Sequence, residues 1–109
     1  MKDKIKKLLL SLGAMPNLRG FRYLCDAIDL YAERKGDVSF TKELYPSVAT
    51  PFNSNGKRVE RCIRNVIDKL GDTVPMHEVI GILGTPPRSS SGSYTNSEFI
   101  ALCALKVEE

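Results

Sequence analysis

Residues 45–70 read YPSVATPFNSNGKRVERCIRNVIDKL, and the reading of this stretch decides the fold. It predicts a short helix, a tight polar turn and a second helix with arginines on its exposed side. Ala49 is a small residue, placed where two crossing helices would approach closely. Four residues on stands Asn53, a residue that tolerates the left-handed backbone of a sharp turn. Asn55 can cap the second helix with its side-chain oxygen, and Gly56 follows it. Val59, Cys62 or Ile63, Val66, Ile67 and Leu70 then recur at helical period as an apolar stripe. Val48 and Phe52 supply the facing apolar side of the first helix. This is the layout of a helix-turn-helix, whose second helix enters the DNA major groove.

The polar side of that second helix carries Lys57, Arg58, Glu60, Arg61, Arg64, Asn65 and Asp68. Arg61, Arg64 and Asp68 lie three to four residues apart and so share one face. Arginine is the side chain best suited to a bidentate grip on guanine, and glutamate can accept from cytosine. A plain solvated face has the same composition, and Glu60–Arg64 and Arg64–Asp68 are ordinary i,i+4 pairs. Spacing alone leaves both readings open. Charge distribution favours the first. The net charge of +3 is a mild excess, but Lys57, Arg58, Arg61 and Arg64 concentrate it, whereas the chain ends on Glu108 and Glu109. A local basic patch is the electrostatic footprint of phosphate binding.

Outward from this stretch the pattern stays helical, so the predicted fold class is all-α, with residues 1–109 as a single domain. Ile5, Leu8, Leu9 and Leu12 line a first helix that Gly13 ends. Leu18 to Lys35 forms a longer helix with Phe21, Leu24, Cys25, Ile28 and Tyr31 or Ala32 inward, stopped by Gly36-Asp37. Ser39 or Thr41 starts a helical turn through Tyr45. Pro46 opens the next helix at its first position, where a missing N–H costs nothing. Pro51 near its end predicts a tight or frayed terminus. Met76, Val79, Ile80 and Leu83 mark a short helix up to Gly84. Thr85 to Tyr94 reads as a loop too polar to pack. Thr95-Asn96-Ser97-Glu98 is a capping box that announces the last helix, with Phe99, Ile100, Leu102, Cys103 and Leu105 as its apolar positions.

Several function classes drop out. There is no apolar run long enough for a membrane span. The basic start followed by LLL is interrupted by Lys6 and Lys7 and lacks a cleavage site, so it reads as an amphipathic helix and not a signal peptide. Cys25, Cys62 and Cys103 are far apart, with no CxxC pair, and are read as small buried hydrophobes in a reducing, cytoplasmic setting. His77 has no neighbouring ligand and belongs at a surface or helix edge. No metal and no cofactor are expected. The Ser and Gly residues of the loop match neither dinucleotide nor P-loop patterns. Nothing pairs a nucleophile with a base, so no enzyme is expected.

Taken together, GFRYLCDAI, TKELYPSVATPFN, RVERCIRNVI and TNSEFIALCA occur in the order and spacing of a known family. From about Ile5 to Lys106 the chain resembles the C-terminal effector domain of the stage-zero sporulation protein A, a response-regulator family. The resemblance implies six helices, with a helix-turn-helix formed by the third and fourth. It implies binding to short GC-centred promoter boxes on double-stranded DNA and control of transcription, with RNA polymerase and its sigma factor as partners. Glu60 and Arg61 would then contact bases, with Arg64 at a base or the adjacent backbone. Asn53, Ser54, Lys57 and Arg58 would hold phosphates, which fix register without reading sequence. Residues 73–84 match the sigma-facing part in position more than in identity. Pro51 and Gly56 depart from the family's usual residues at the turn.

The family also carries an N-terminal receiver domain, and these 109 residues contain none. That leaves an excised piece or a free-standing effector, and Met1 running straight into the first helix leans to the second. Dimerisation on tandem sites is expected, since one half-site binds weakly. The alternative is an interaction protein: a receiver-less antagonist that pairs with a full-length regulator or competes for its boxes.

Overall fold

The computed structural model describes all residues from Met1 to Glu109. It contains six α-helices and no strand: α1 (Lys2–Ser11), α2 (Arg19–Glu33), α3 (Tyr45–Ala49), α4 (Gly56–Asp68), α5 (Met76–Leu83) and α6 (Asn96–Val107). The buried apolar residues form one contiguous cluster. The central element is α2, which packs against α1, α3, α4 and α6.

Local chemistry explains most of the boundaries. At the end of α1, Gly13 takes φ +89° and the Ala14 N–H reaches back to the Leu9 carbonyl at 3.0 Å. The predicted second helix runs to Lys35, but α2 ends at Glu33. The reason is that Lys35 itself adopts the left-handed conformation, at φ 54°. The Gly36 N–H then closes on the Tyr31 carbonyl at 3.0 Å, satisfying a terminal acceptor as such motifs do.

Of the two starts expected for the next turn, Ser39 is the one used. Its hydroxyl accepts from the Lys42 N–H, and its own N–H donates to Glu43 Oε1 at 2.8 Å. From there the chain winds through a wide turn, residues 40–44, with the Leu44 N–H bonded five residues back to Ser39. Pro46, the second residue of α3, accounts for the width: its ring crowds the carbonyl four residues earlier and it offers no N–H. Its position is thus one residue inside α3, not at its first residue, because the helix flows out of the wide turn.

Two further expectations are corrected. The reading of Thr85 to Tyr94 as a loop too polar to pack fails at Tyr94, which is 1% exposed. Its hydroxyl donates to the Thr85 carbonyl at 2.6 Å, closing the loop on itself, and its ring meets Phe99 at 6.0 Å. Leu105, expected among the apolar positions of the last helix, is 64% exposed. The stripe runs through Phe99, Ile100, Cys103, Ala104 and Val107, and Leu105 falls off it by about half a turn.

Candidate nucleic-acid interface

The turn between α3 and α4 is built as its residues dictate. Thr50–Phe52 tighten the end of α3, as the N–H missing at Pro51 allows. Asn53 then sits in the left-handed region at φ 52°, ψ 43°. The Ser54 N–H bonds to the Ala49 carbonyl and the Asn53 N–H to the Thr50 carbonyl, which is the two-bond closure of a helix end. Phe52 pins the turn from below, edge-on to Tyr23 at 5.1 Å. Asn55 Oδ1 accepts from the Arg58 N–H at 2.9 Å and caps α4.

The axis of α4 is held from two sides. On one, Gly20 of α2 lies so close that a methyl group there would stand 2.1 Å from the Cys62 carbonyl oxygen. On the other, Asn96 at the start of α6 donates its amide to the Glu60 carbonyl at 3.0 Å. Ala49, buried at 1% exposure, lets α3 cross beneath. The buried face of α4 is Val59, Ile63, Val66 and Ile67; Cys62 is half-buried.

The opposite face carries the candidate residues. Lys57, Arg58, Glu60 and Arg61 are all exposed. None of Lys57, Arg58 and Arg61 has an acidic partner, since the ion pairs are Lys2–Asp26, Arg64–Asp68 and Lys106–Glu109. Unpaired cations in a row on one helix leave their charge available to phosphate and base acceptors. Arg64 is placed differently. Its Nε donates to Asp68 Oδ1 at 3.0 Å and its Nη2 to Ser93 Oγ at 2.8 Å. The i,i+4 alternative is therefore realised for Arg64–Asp68, and no Glu60–Arg64 pair forms. Asn53 is exposed at the turn. The Ser54 hydroxyl oxygen is shielded from solvent and without a partner.

A concave surface of about 720 Å³ runs along α4 between Lys57, Glu60, Arg61 and the first turn of α6, where Thr95, Asn96 and Ser97 stand. Its floor includes Tyr45, whose phenol is pushed up by burial. The Asn96 amide and Arg64 charge oppose that shift, and Glu60 adds to it. The α6 turn carries the reciprocal capping box: the Glu98 N–H reaches Thr95 Oγ1 at 3.2 Å and the Thr95 N–H reaches Glu98 Oε1 at 3.1 Å.

Sequence reasoning misses three contributors. The sequence marks Asn96 only as part of the capping box; that its side chain latches onto α4 has no signal in residue spacing. Arg19 and Arg22 were not singled out either. Both are exposed at the start of α2, beside a depression of about 520 Å³ that reaches Phe52, and the Arg22 guanidinium lies 5.0 Å above the Phe52 ring. They extend the basic surface past the turn.

A helical pair with a left-handed turn, a capped second helix and unpaired cations along its exposed face is consistent with a helix-turn-helix of the DNA-binding class. The chain belongs to the family of the sporulation initiation factor Spo0A C-terminal domain, whose sequence model matches residues 5–107. It is thus the effector type of a sporulation regulator. No helix is long and apolar enough to cross a membrane.

Proposed function

We propose that this chain is a sequence-specific double-stranded DNA-binding transcription regulator that lays α4 in the major groove. The observation that carries the reading is the unpaired row Lys57, Arg58 and Arg61 on a helix gripped from two sides. Arg61 and Glu60 read base edges, with Arg64 beside them. Asn53, Lys57 and Arg58 hold phosphates, and Ser54 joins them once its shielded hydroxyl turns outward. The first helix of the pair sets the entry angle of the second across the backbone.

Within this reading, two copies bind tandem half-sites. The segment from Thr73 to Gly84, which includes α5, faces the sigma factor of RNA polymerase. The place of work is the cytoplasm, where the DNA is.

The test is binding to a duplex enriched by this chain from a random pool, set against a scrambled duplex, over a series of salt concentrations. A specific complex holds a preference for the enriched duplex at moderate salt. Equal affinity for both overturns direct reading, because phosphate contacts alone carry no sequence information.

A further inference from the structure

The arrangement around Arg64 assigns a role to a loop outside the helix-turn-helix. Arg64 Nε donates to Asp68 Oδ1 at 3.0 Å, and Nη2 stands 2.8 Å from the same oxygen. Nη2 also donates to Ser93 Oγ at 2.8 Å, and Ser93 Oγ donates in turn to Asp68 Oδ1 at 3.4 Å. The three side chains close a ring. Ser93 belongs to the loop between α5 and α6, and the next residue, Tyr94, is buried and bonded to Thr85. The serine is therefore tethered to the core on its C-terminal side and cannot drift with the outer part of the loop.

An arginine has N–H donors on Nε, Nη1 and Nη2. With Nε and Nη2 engaged, Nη1 alone is unused by the protein. A free arginine reaches guanine with two donors at once; this one is turned so that it offers one edge nitrogen. It is also already ordered, so binding does not have to immobilise a rotamer-rich chain.

We propose that Ser93, acting with Asp68, is a positioning residue for DNA recognition. It holds the Arg64 guanidinium in one orientation and presents Nη1, with its two N–H groups, as the one nitrogen left for the DNA, at either a base edge or a phosphate. Bidentate reading then falls to Arg61, which has no such tether. This rests on the DNA-binding reading above.

The experiment is a double-mutant cycle on the duplex that the wild-type chain enriches from a random pool. Ser93→Ala is expected to weaken binding by about three- to tenfold, as coupled neighbours in one network do. In an Arg64→Ala background the same change is expected to have no effect. Ser93→Thr keeps the oxygen and is expected to retain wild-type affinity, which separates loss of the tether from damage to the loop. Wild-type affinity for Ser93→Ala overturns the proposal, as does a Ser93→Ala loss that persists undiminished without Arg64. A wild-type chain that enriches no sequence removes the DNA-reading function itself, and this inference with it. A chain that enriches a sequence but shows no coupling removes only the inference.

Discussion

Gly20→Ala tests the frame that aims α4. Gly20 is the second residue of α2, and a Cβ there would stand 2.1 Å from the Cys62 carbonyl oxygen, 2.6 Å from its carbon and 2.7 Å from Val66 Cγ2. Two of these three atoms are backbone in mid-α4, so no side-chain rotation relieves the clash. Overpacking of this kind costs about 1–3 kcal/mol, and the backbone-on-backbone case belongs at or above the top of that range. Alanine's better helix propensity returns up to about 1 kcal/mol in a helix interior and less in a first turn. A net loss of about 2 kcal/mol lowers the melting temperature by roughly 8–16 °C in a chain near this size. Thermal unfolding followed by far-UV circular dichroism reads it directly. Gly81→Ala is the control: it is also helical, a Cβ there meets nothing within 4 Å, and it is expected to gain up to about 1 kcal/mol. A Gly20→Ala protein that melts with the wild type would refute the close approach of α2 and α4.

Other expectations follow from the same geometry. Arg61→Ala is expected to cost about 1–3 kcal/mol on the enriched duplex and relax selection at one base position, while Lys57→Ala flattens the salt dependence by about one unit of slope; both are read by titration over a salt series. Thr95→Ala removes one half of the capping box and is expected to cost about 0.5–2 kcal/mol in denaturant unfolding. Burial pushes the Cys25 thiol up to about 11 and the Cys103 thiol higher still. Both stay neutral in the folded chain at pH 8, so a thiolate-directed alkylating agent labels them only after unfolding, as peptide mass mapping would show. For Cys25 the contribution to stability is full below the unfolded value near 9 and is lost as pH rises through about 11, and that of Cys103 is lost at higher pH. Burial raises Tyr45 and Tyr94 in the same direction.

What could be read from the sequence was local. Asn53 at a left-handed position, Asn55 as a cap, and Thr95 with Glu98 as a capping box each act within four residues of their partners, and each stands as expected. Pro51 is also legible as a disturbance of a helix end, whereas Pro46 reads as a plain helix start and the wide turn before it is not legible. What escaped was long-range. The Arg64–Ser93 bond spans 29 residues and the Asn96–Glu60 bond 36, and no periodicity announces such pairs. Tyr94 was hidden by its polar neighbours: composition across residues 85–94 says loop, while a single aromatic ring decides that the loop's end is packed. Leu105 erred the other way, as an apolar residue whose register puts it outside. Nothing in the pattern of residues 18–35 marks Gly20, whose importance comes only from α4 lying against it.

These long-range contacts bear on recognition because they separate the two parts of the problem. The backbone of α4 is fixed in place by contacts that involve none of its outward side chains: Gly20 against the Cys62 carbonyl, and the Asn96 amide on the Glu60 carbonyl. Substitutions at Arg61 can therefore change what is read, and those at Lys57 or Arg58 how tightly the backbone is held, without moving the helix that presents them, since surface changes away from packing contacts leave stability within about 0.5 kcal/mol. Arg64 is the exception. Its guanidinium joins α4 to the loop before α6, so a change there alters both the reading face and its support. Ordering each untethered long side chain on DNA costs about 0.5–1.5 kcal/mol, a cost that applies to Lys57, Arg58 and Arg61 but has largely been met for Arg64 by Asp68 and Ser93. On the proposed reading the face thus combines three untethered cations, Arg61 for bases with Lys57 and Arg58 for phosphates, with one tethered cation, Arg64, suited to setting register.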